Sequence, residues 1–447
     1  MLNRRQFLSL AAGAPAVAAA WPLALGGQSV PAVQPHRLRS RLERLSTFGR
    51  PAGGTFADGV SRVAYSQADV AGRAWLMDEM RGVGLDPRID PAGNIFARRG
   101  GTNPERRPIL FGSHIDTVPQ GGNFDGALGS LAALEVMQVC EEAQVRTRHP
   151  LEMVVWAHEE GVAFTRPLAG SRIAAGEILP GDLDQTWNGM TRAEAILRIG
   201  GAPDRIEEAV RKRGAHHCYI ELHIEQGGTL EAGGVQIGIV TGIVASRRYE
   251  VVVHGTANHS GTTPMDHRRD ALVAAAQIVL AVRAVGTGRP GKQVATVGRL
   301  DVLPNSPSAV PGQVTLIVDL RDLSADVLEL MADEVRQRIA VIARETGTTV
   351  EMQRIAEYAA ADATPTVQQA IADSADEAGL TAVQMPSGAG HDAAMMARLG
   401  PMGMIFVPSV DGISHSPQEF TSWDDCGRGA QVLLGAVVGA DARDSMA

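Results

Sequence analysis

Hydrophobic positions along this chain fall into two rhythms. Short apolar runs at 109–112, 151–157 and Cys218–Ile224 are bounded by Gly, Pro and polar residues, which predicts buried strands. Helical spacing marks 36–45, 66–84 (stopped by Gly82 and Gly84) and 126–143,. Strands alternating with helices predict an α/β sheet. From residue 247 the pattern changes. Residues 247–255 alternate, with Tyr249, Val251 and Val253 on one face,. Then follow a helix at 268–285, strands at 293–302 and 313–321, a long amphipathic helix at 325–345 and a strand at 348–358. That order is β-α-β-β-α-β, a ferredoxin-like unit long enough to stand as a domain. A helix at 366–378 and a buried strand at 404–407 complete the chain. The expected fold is therefore α/β: a twisted mixed sheet flanked by helices, interrupted by an inserted βαββαβ domain. The expected divisions are 1–35, 36–243, 244–358 and 359–447.

The first 35 residues stand apart. Arg4-Arg5 precedes an uncharged, Ala-rich stretch at 8–20, too short to span a bilayer. It resembles a twin-arginine export signal, with Ala18-Ala19-Ala20 suited to cleavage. A periplasmic location is expected. No other stretch reaches 18 apolar residues, so no membrane span is expected. With 41 Lys+Arg against 50 Asp+Glu the net charge is −9, which argues against a nucleic-acid partner. Three Cys without a CxxC pair argue against a disulfide framework and a thiolate zinc site, leaving buried free thiols.

The candidate chemistry collects at predicted strand ends. Residues 109–116 close on His114-Ile-Asp116, a spacing that suits a metal-binding imidazole held by a carboxylate. Asp125, in Gly121-Gly122-Asn123-Phe124-Asp125-Gly126, is either a helix cap or a ligand. The strand 151–157 runs into His158-Glu159-Glu160-Gly161, where one acid can bind metal while the other serves as general base. Glu221, His223 and Glu225 form an acid-imidazole-acid row on one strand face, costly to bury without a cation. His415 lies in a loop after the 404–407 strand. The turn Ser387-Gly388-Ala389-Gly390-His391-Asp392 offers small residues and backbone N–H groups to an anion or a carbonyl. Arg321 is either an ion-pair residue or a carboxylate binder. A ligand set of His and carboxylates without thiolate suits Zn, Mn or Co.

The ordered strings Gly-Ser-His114-Ile-Asp116, Gly-Gly-Asn-Phe-Asp125-Gly, His-Glu159-Glu160-Gly, Glu-Leu-His223-Ile-Glu-Gln226-Gly, Asn-His259-Ser-Gly-Thr-Thr-Pro-Met and Ser-His415-Ser resemble the co-catalytic metallohydrolases related to carboxypeptidase G and aminoacylase. Within them they are most similar to the branch of N-carbamoyl-L-amino-acid hydrolases, β-ureidopropionase, and allantoate and ureidoglycolate amidohydrolases. The resemblance covers about residues 36–440. It implies two divalent metal ions (Zn, or Mn or Co), one on His114, Asp125 and His223, the other on Asp125, Glu160 and His415. Glu159 would be the general base, Asp116 would orient His114, and His259 would stabilise the oxyanion. Gln226, His259, Asn305, Arg321, Gly388 and Gly390 would hold substrate. His259 and Asn305 would come from the inserted lid and dimerisation domain, of the same subunit or of a partner in a homodimer. The implied substrate is a small ureido or carbamoyl compound bearing a carboxylate, cleaved to ammonia and carbon dioxide. An N-acyl amino acid hydrolase or exopeptidase is the alternative; peptidase relatives usually carry an acid where His223 stands. The intact Glu159-Glu160 pair argues against a third reading, a binding protein without catalysis.

Overall fold

Residues 30–164 and 166–446 are described by a computed structural model. The expected export signal and its cleavage site lie outside them. Four parallel strands form the middle of a mixed sheet, in the order Leu151–Trp156, Ile109–His114, Cys218–Ile224 and Met402–Val407. Ile95–Arg99 flanks them antiparallel on one side and Ile237–Ile243 on the other. All four central strands are buried along their whole length. This is why they read as unbroken apolar runs rather than as alternations. The helices Pro35–Leu45, Ala127–Glu142, Pro365–Glu377 and Trp423–Asp441 pack together over this sheet. The short helices Ala169–Ala174 and Asp392–Met396 pack against each other and, through the latter, on the strands Cys218–Ile224 and Met402–Val407.

The inserted unit has the expected order. Its strands, Ala245–His254, Val294–Leu303, Gln313–Asp322 and Thr349–Tyr358, form one antiparallel sheet in which the first and third are central. The helices Ala271–Thr287 and Ala325–Thr346 cover one face. Tyr249, Val251 and Val253 are buried there with Val314, Leu316 and Val318, so the alternation seen in sequence is the packing face. Asp270 caps the first helix by accepting the N–H groups of Leu272 and Val273, which moves its start to Ala271 from the expected 268.

Three strands of five residues or more went unread in the sequence: Ile237–Ile243 and Ala382–Ser387, which pair in parallel, and Ile95–Arg99. Gly238 and Gly242 interrupt the apolar signal of the first, and the second is largely exposed,. The three cysteines are free and buried, as expected. No helix among the described residues is long and apolar enough to cross a membrane.

His216, just before the strand Cys218–Ile224, is buried with neither ring nitrogen hydrogen-bonded. Burial pushes its pKa down to about 4. An unfolded chain takes that proton near pH 6.5, so the stability present above pH 6.5 drains as pH falls towards 4. The single group accounts for ~3 kcal/mol. Replacing His216 by Leu should therefore flatten the decline of the urea midpoint between pH 7 and pH 5. An unaltered slope would assign the acid sensitivity elsewhere.

Candidate active site

The site sits where the carboxyl ends of the parallel strands meet, the usual place for ligands in open α/β sheets. His114 is the last residue of its strand. Its Nδ1–H donates to the backbone carbonyl of Asp116 at 3.0 Å, which turns Nε2 to within 3.5 Å of Asp125 and 3.7 Å of Glu159. His223 is held likewise, Nδ1–H on the Ile224 carbonyl at 2.9 Å and Nε2 3.2 Å from Asp125. Asp125 is not a cap; its carboxylate turns inward, with His415 Nε2 3.3 Å from its second oxygen and 3.4 Å from Glu160. Two triads result, His114–Asp125–His223 and Asp125–Glu160–His415, each with its ligand atoms within 4.8 Å of one another. They share Asp125. Gly126 makes this approach possible: at φ +62° a Cβ there would lie 2.4 Å from the His114 ring,.

Glu159 and Glu160 reach the same cavity because His158 adopts a left-handed conformation (φ 55°) that breaks strand alternation,. Asp116 serves two neighbours. Its carboxylate accepts the N–H groups of Glu159 (3.1 Å) and Glu160 (3.2 Å), while its backbone carbonyl, not its side chain, hydrogen-bonds His114. The Asp116 carboxylate also stands 3.7 Å from His114 Nδ1, beside the imidazole but beyond hydrogen-bond reach. Asp116 therefore positions the two glutamates and, through its backbone carbonyl, the imidazole. The acid-imidazole-acid row also resolves differently. Glu221 is satisfied by Ser113 and by the Ala393 N–H, and Glu225 caps a short helix through the N–H groups of Thr229 and Leu230. Of the three, His223 alone faces the cluster.

Electrostatics mark the cluster as a cation site. Burial works against the His114 cation, but Glu159, Asp125 and Asp116 outweigh it and hold its pKa well above the ordinary value. The hydrogen bond to Asp125 lifts His415 to about 9. Burial, with Asp125 nearby, raises Glu160 to about 8; burial also drives Glu159 well above the usual carboxylate range. Protein groups alone thus gather protons where positive charge is wanted. A buried set of imidazole and carboxylate lone pairs converging in two triads fits divalent metal.

The cavity over these residues has a volume of about 900 Å³. Gln226 lines it but spends its amide N–H on Asp125 at 2.6 Å, leaving Oε1 without a partner. Arg321 lines it too. Its bidentate edge is on Asp319 (3.1 and 3.0 Å) and Nη1 donates to the Gly388 carbonyl at 2.8 Å. Arg321 is thus an ion-pair residue that stands on the cavity wall. A Cβ at Gly388 or Gly390 would meet nothing within 4 Å, so the cavity is open at that turn. His259 and Asn305 are exposed, and neither lines the cavity within this chain. Glu419 escaped the sequence reading. It is buried and accepts the N–H groups of Phe124 (2.9 Å) and Asp125 (3.0 Å) and the Ser414 hydroxyl (2.8 Å). It thereby fixes the loop that carries Asp125. An acid four residues past His415 follows no ligand spacing, so only the fold exposes its role.

The chain matches Peptidase family M20/M25/M40 over residues 110–438. It is 40% identical over 406 residues to an N-carbamoyl-L-amino acid amidohydrolase of Geobacillus stearothermophilus, covering 91% of this chain and 98% of that one. To an allantoate amidohydrolase of Bacillus subtilis it is 34% identical over 383 residues, 85% and 92% of the two chains. The crystal structure of an amidase of the hydantoinase/carbamoylase family from Burkholderia multivorans superposes with a TM-score of 0.86 at 36% identity, over 92% of this chain and 99% of that one. A family match across most of the chain, relatives aligned over nearly their full length and a site built from candidate metal-binding residues agree: the chain belongs to the M20/M25/M40 family of metal-dependent hydrolases.

Proposed function

We propose that this enzyme hydrolyses the linear C–N bond of N-carbamoyl compounds carrying a carboxylate, N-carbamoyl-L-amino acids or allantoate, with release of ammonia and carbon dioxide. The observation that carries the reading is the pair of triads sharing Asp125, with Glu159 beside them and a cationic wall facing them across one cavity. The names of the relatives narrow the bond to a carbamoyl or ureido one. His114, Asp125 and His223 would hold one divalent ion, and Asp125, Glu160 and His415 a second, Zn or Mn or Co. Such ions acidify water and polarise a carbonyl.

The rest of the work falls to the chain. Glu159, held by Asp116 through its backbone, accepts a proton from the attacking water and passes it to the leaving nitrogen. Arg248 and Arg321 share Asp319, leaving one positive charge on the wall to meet the substrate carboxylate and align the carbonyl. The unpartnered Gln226 Oε1 is a free acceptor for a ureido N–H. Residues 244–358 act as lid and dimerisation domain in this reading, and His259 and Asn305 serve the site of a partner subunit; their exposure here supports that.

Ammonia release by protein loaded with Zn, Mn or Co tests the proposal, on N-carbamoyl-L-amino acids, N-carbamoyl-β-alanine, allantoate, N-acetyl amino acids and dipeptides. Metal-dependent ammonia from a ureido substrate is expected. Release of amino acid from only the acylated or peptide substrates would overturn it. We further propose export by the twin-arginine route, supported by Arg4-Arg5 and the apolar stretch after it. Replacing both by Lys should retain the precursor in the cytoplasm.

A further inference from the structure

The cavity also carries charge that the reaction does not use. Arg166 and Arg398 each donate to one oxygen of Glu177 at 2.6 Å, and Arg172 stands 3.7 Å from the same carboxylate. Asp182 lies 3.8 Å from Arg166. Three guanidinium groups thus face two carboxylates, one positive charge in surplus. Arg192, close enough to act on Arg172, adds another: among the described residues its side chain donates to the Phe164 carbonyl and the Gln185 amide oxygen. Donors exceed acceptors as well, since Arg166 Nη1 and Arg172 Nε are buried without a hydrogen-bond partner. Arg172 has a side chain only 6% exposed. Its pKa is drawn down to about 10, first by burial and then by Arg166. Arg166, Arg172 and Arg398 line the same cavity as Glu159 and Glu160. A second cationic pole therefore faces the reacting centre, on different elements from the Arg248–Arg321 wall.

Two cationic poles in one cavity call for a ligand with two anionic ends. We propose that the recess around Arg166, Arg172 and Arg398 takes the substrate's side chain and selects acidic ones, making N-carbamoyl derivatives of aspartate- or glutamate-type amino acids the preferred class. This rests on the carbamoyl-hydrolase reading above and assigns the α-carboxylate to the Arg248–Arg321 wall.

The test compares N-carbamoyl-L-glutamate with its neutral isostere N-carbamoyl-L-glutamine on the metal-loaded protein. kcat/KM should favour the acid at least tenfold, and Arg166→Gln should bring the ratio below threefold. Arg398→Gln, at a half-exposed position where folding is least at risk, should do the same. A wild-type ratio below threefold, or a ratio that both substitutions leave in place, overturns the recess. Calorimetric binding of both compounds to metal-loaded Glu159→Gln protein separates the two layers of argument. Tenfold tighter binding of the acid, with no ammonia from wild-type enzyme on either compound or on any other ureido substrate of the panel above, would keep the recess and reject the carbamoyl-hydrolase reading. Equal turnover of both compounds would keep that reading and reject the recess.

Discussion

Replacing Glu159 by Gln should leave bound metal at the wild-type level and reduce kcat by ~10³-fold. Proton transfer by a positioned side chain is worth about 10²–10⁴ in rate, and the Gln amide has no lone pair basic enough to take the proton. Two features single out Glu159 over Glu160. Glu159 belongs to neither ligand triad. Its carboxylate lies 3.7 Å from His114 Nε2, so it faces the reacting space rather than the His415 side. As with Glu160, its pKa is driven above the ordinary range by burial, here with Glu160, Asp392 and Asp116 adding to the effect. A carboxylate raised in this way is basic enough to take a proton and acidic enough to return it. Metal content by elemental analysis and steady-state kinetics on one preparation decide the matter. Loss of metal together with surviving turnover would make Glu159 a ligand and transfer the base to another residue.

The way this site was legible shows what a sequence encodes locally. His114, Glu159, Glu160 and His223 end, follow or lie within apolar runs that the fold buries completely, so their polarity was conspicuous against their neighbours. The inserted unit was legible because one face of its sheet is covered by helices and the other is not, which imposes alternation at Tyr249, Val251 and Val253,. Where backbone direction changes, periodicity does not reveal the longer-range contacts. Asp116 lies two residues beyond the strand end, and its carboxylate binds backbone N–H groups 43 and 44 residues away. Glu419 reaches Phe124 and Asp125 across almost 300 residues of chain; no local pattern carries such a contact. The arginines around Glu177 were invisible for the same reason: Arg166, Arg172 and Arg398 converge only once the short helices Ala169–Ala174 and Asp392–Met396 pack together.

The largest loss is expected at Asp125, because both triads depend on it. Asp125→Ala should abolish metal binding at both positions and lower activity by ~10⁴-fold or more, beyond the cost of losing the base alone. Five side chains converge on its carboxylate: His114, His223 and His415 at 3.5, 3.2 and 3.3 Å, Gln226 at 2.6 Å and Ser414 at 3.0 Å. The positive groups around it hold its pKa well below the ordinary value despite burial, so it is an anion at every working pH. Removing it leaves each triad with two members, one of them His114 with His223, the other Glu160 with His415. His415→Ala breaks only the second and should halve the metal content. Metal analysis of the two variants therefore tests the sharing itself. If Asp125→Ala keeps one equivalent at wild-type affinity, the triads are independent and Asp125 serves one of them. Circular dichroism and thermal midpoint on the same samples guard against simple unfolding. Asp125→Asn, which keeps the volume and a carbonyl for Gln226 and Ser414, should lose metal without losing the fold. Chelation of wild-type protein should reproduce the loss of activity, and restoring Zn, Mn or Co should reverse it only where Asp125 is intact.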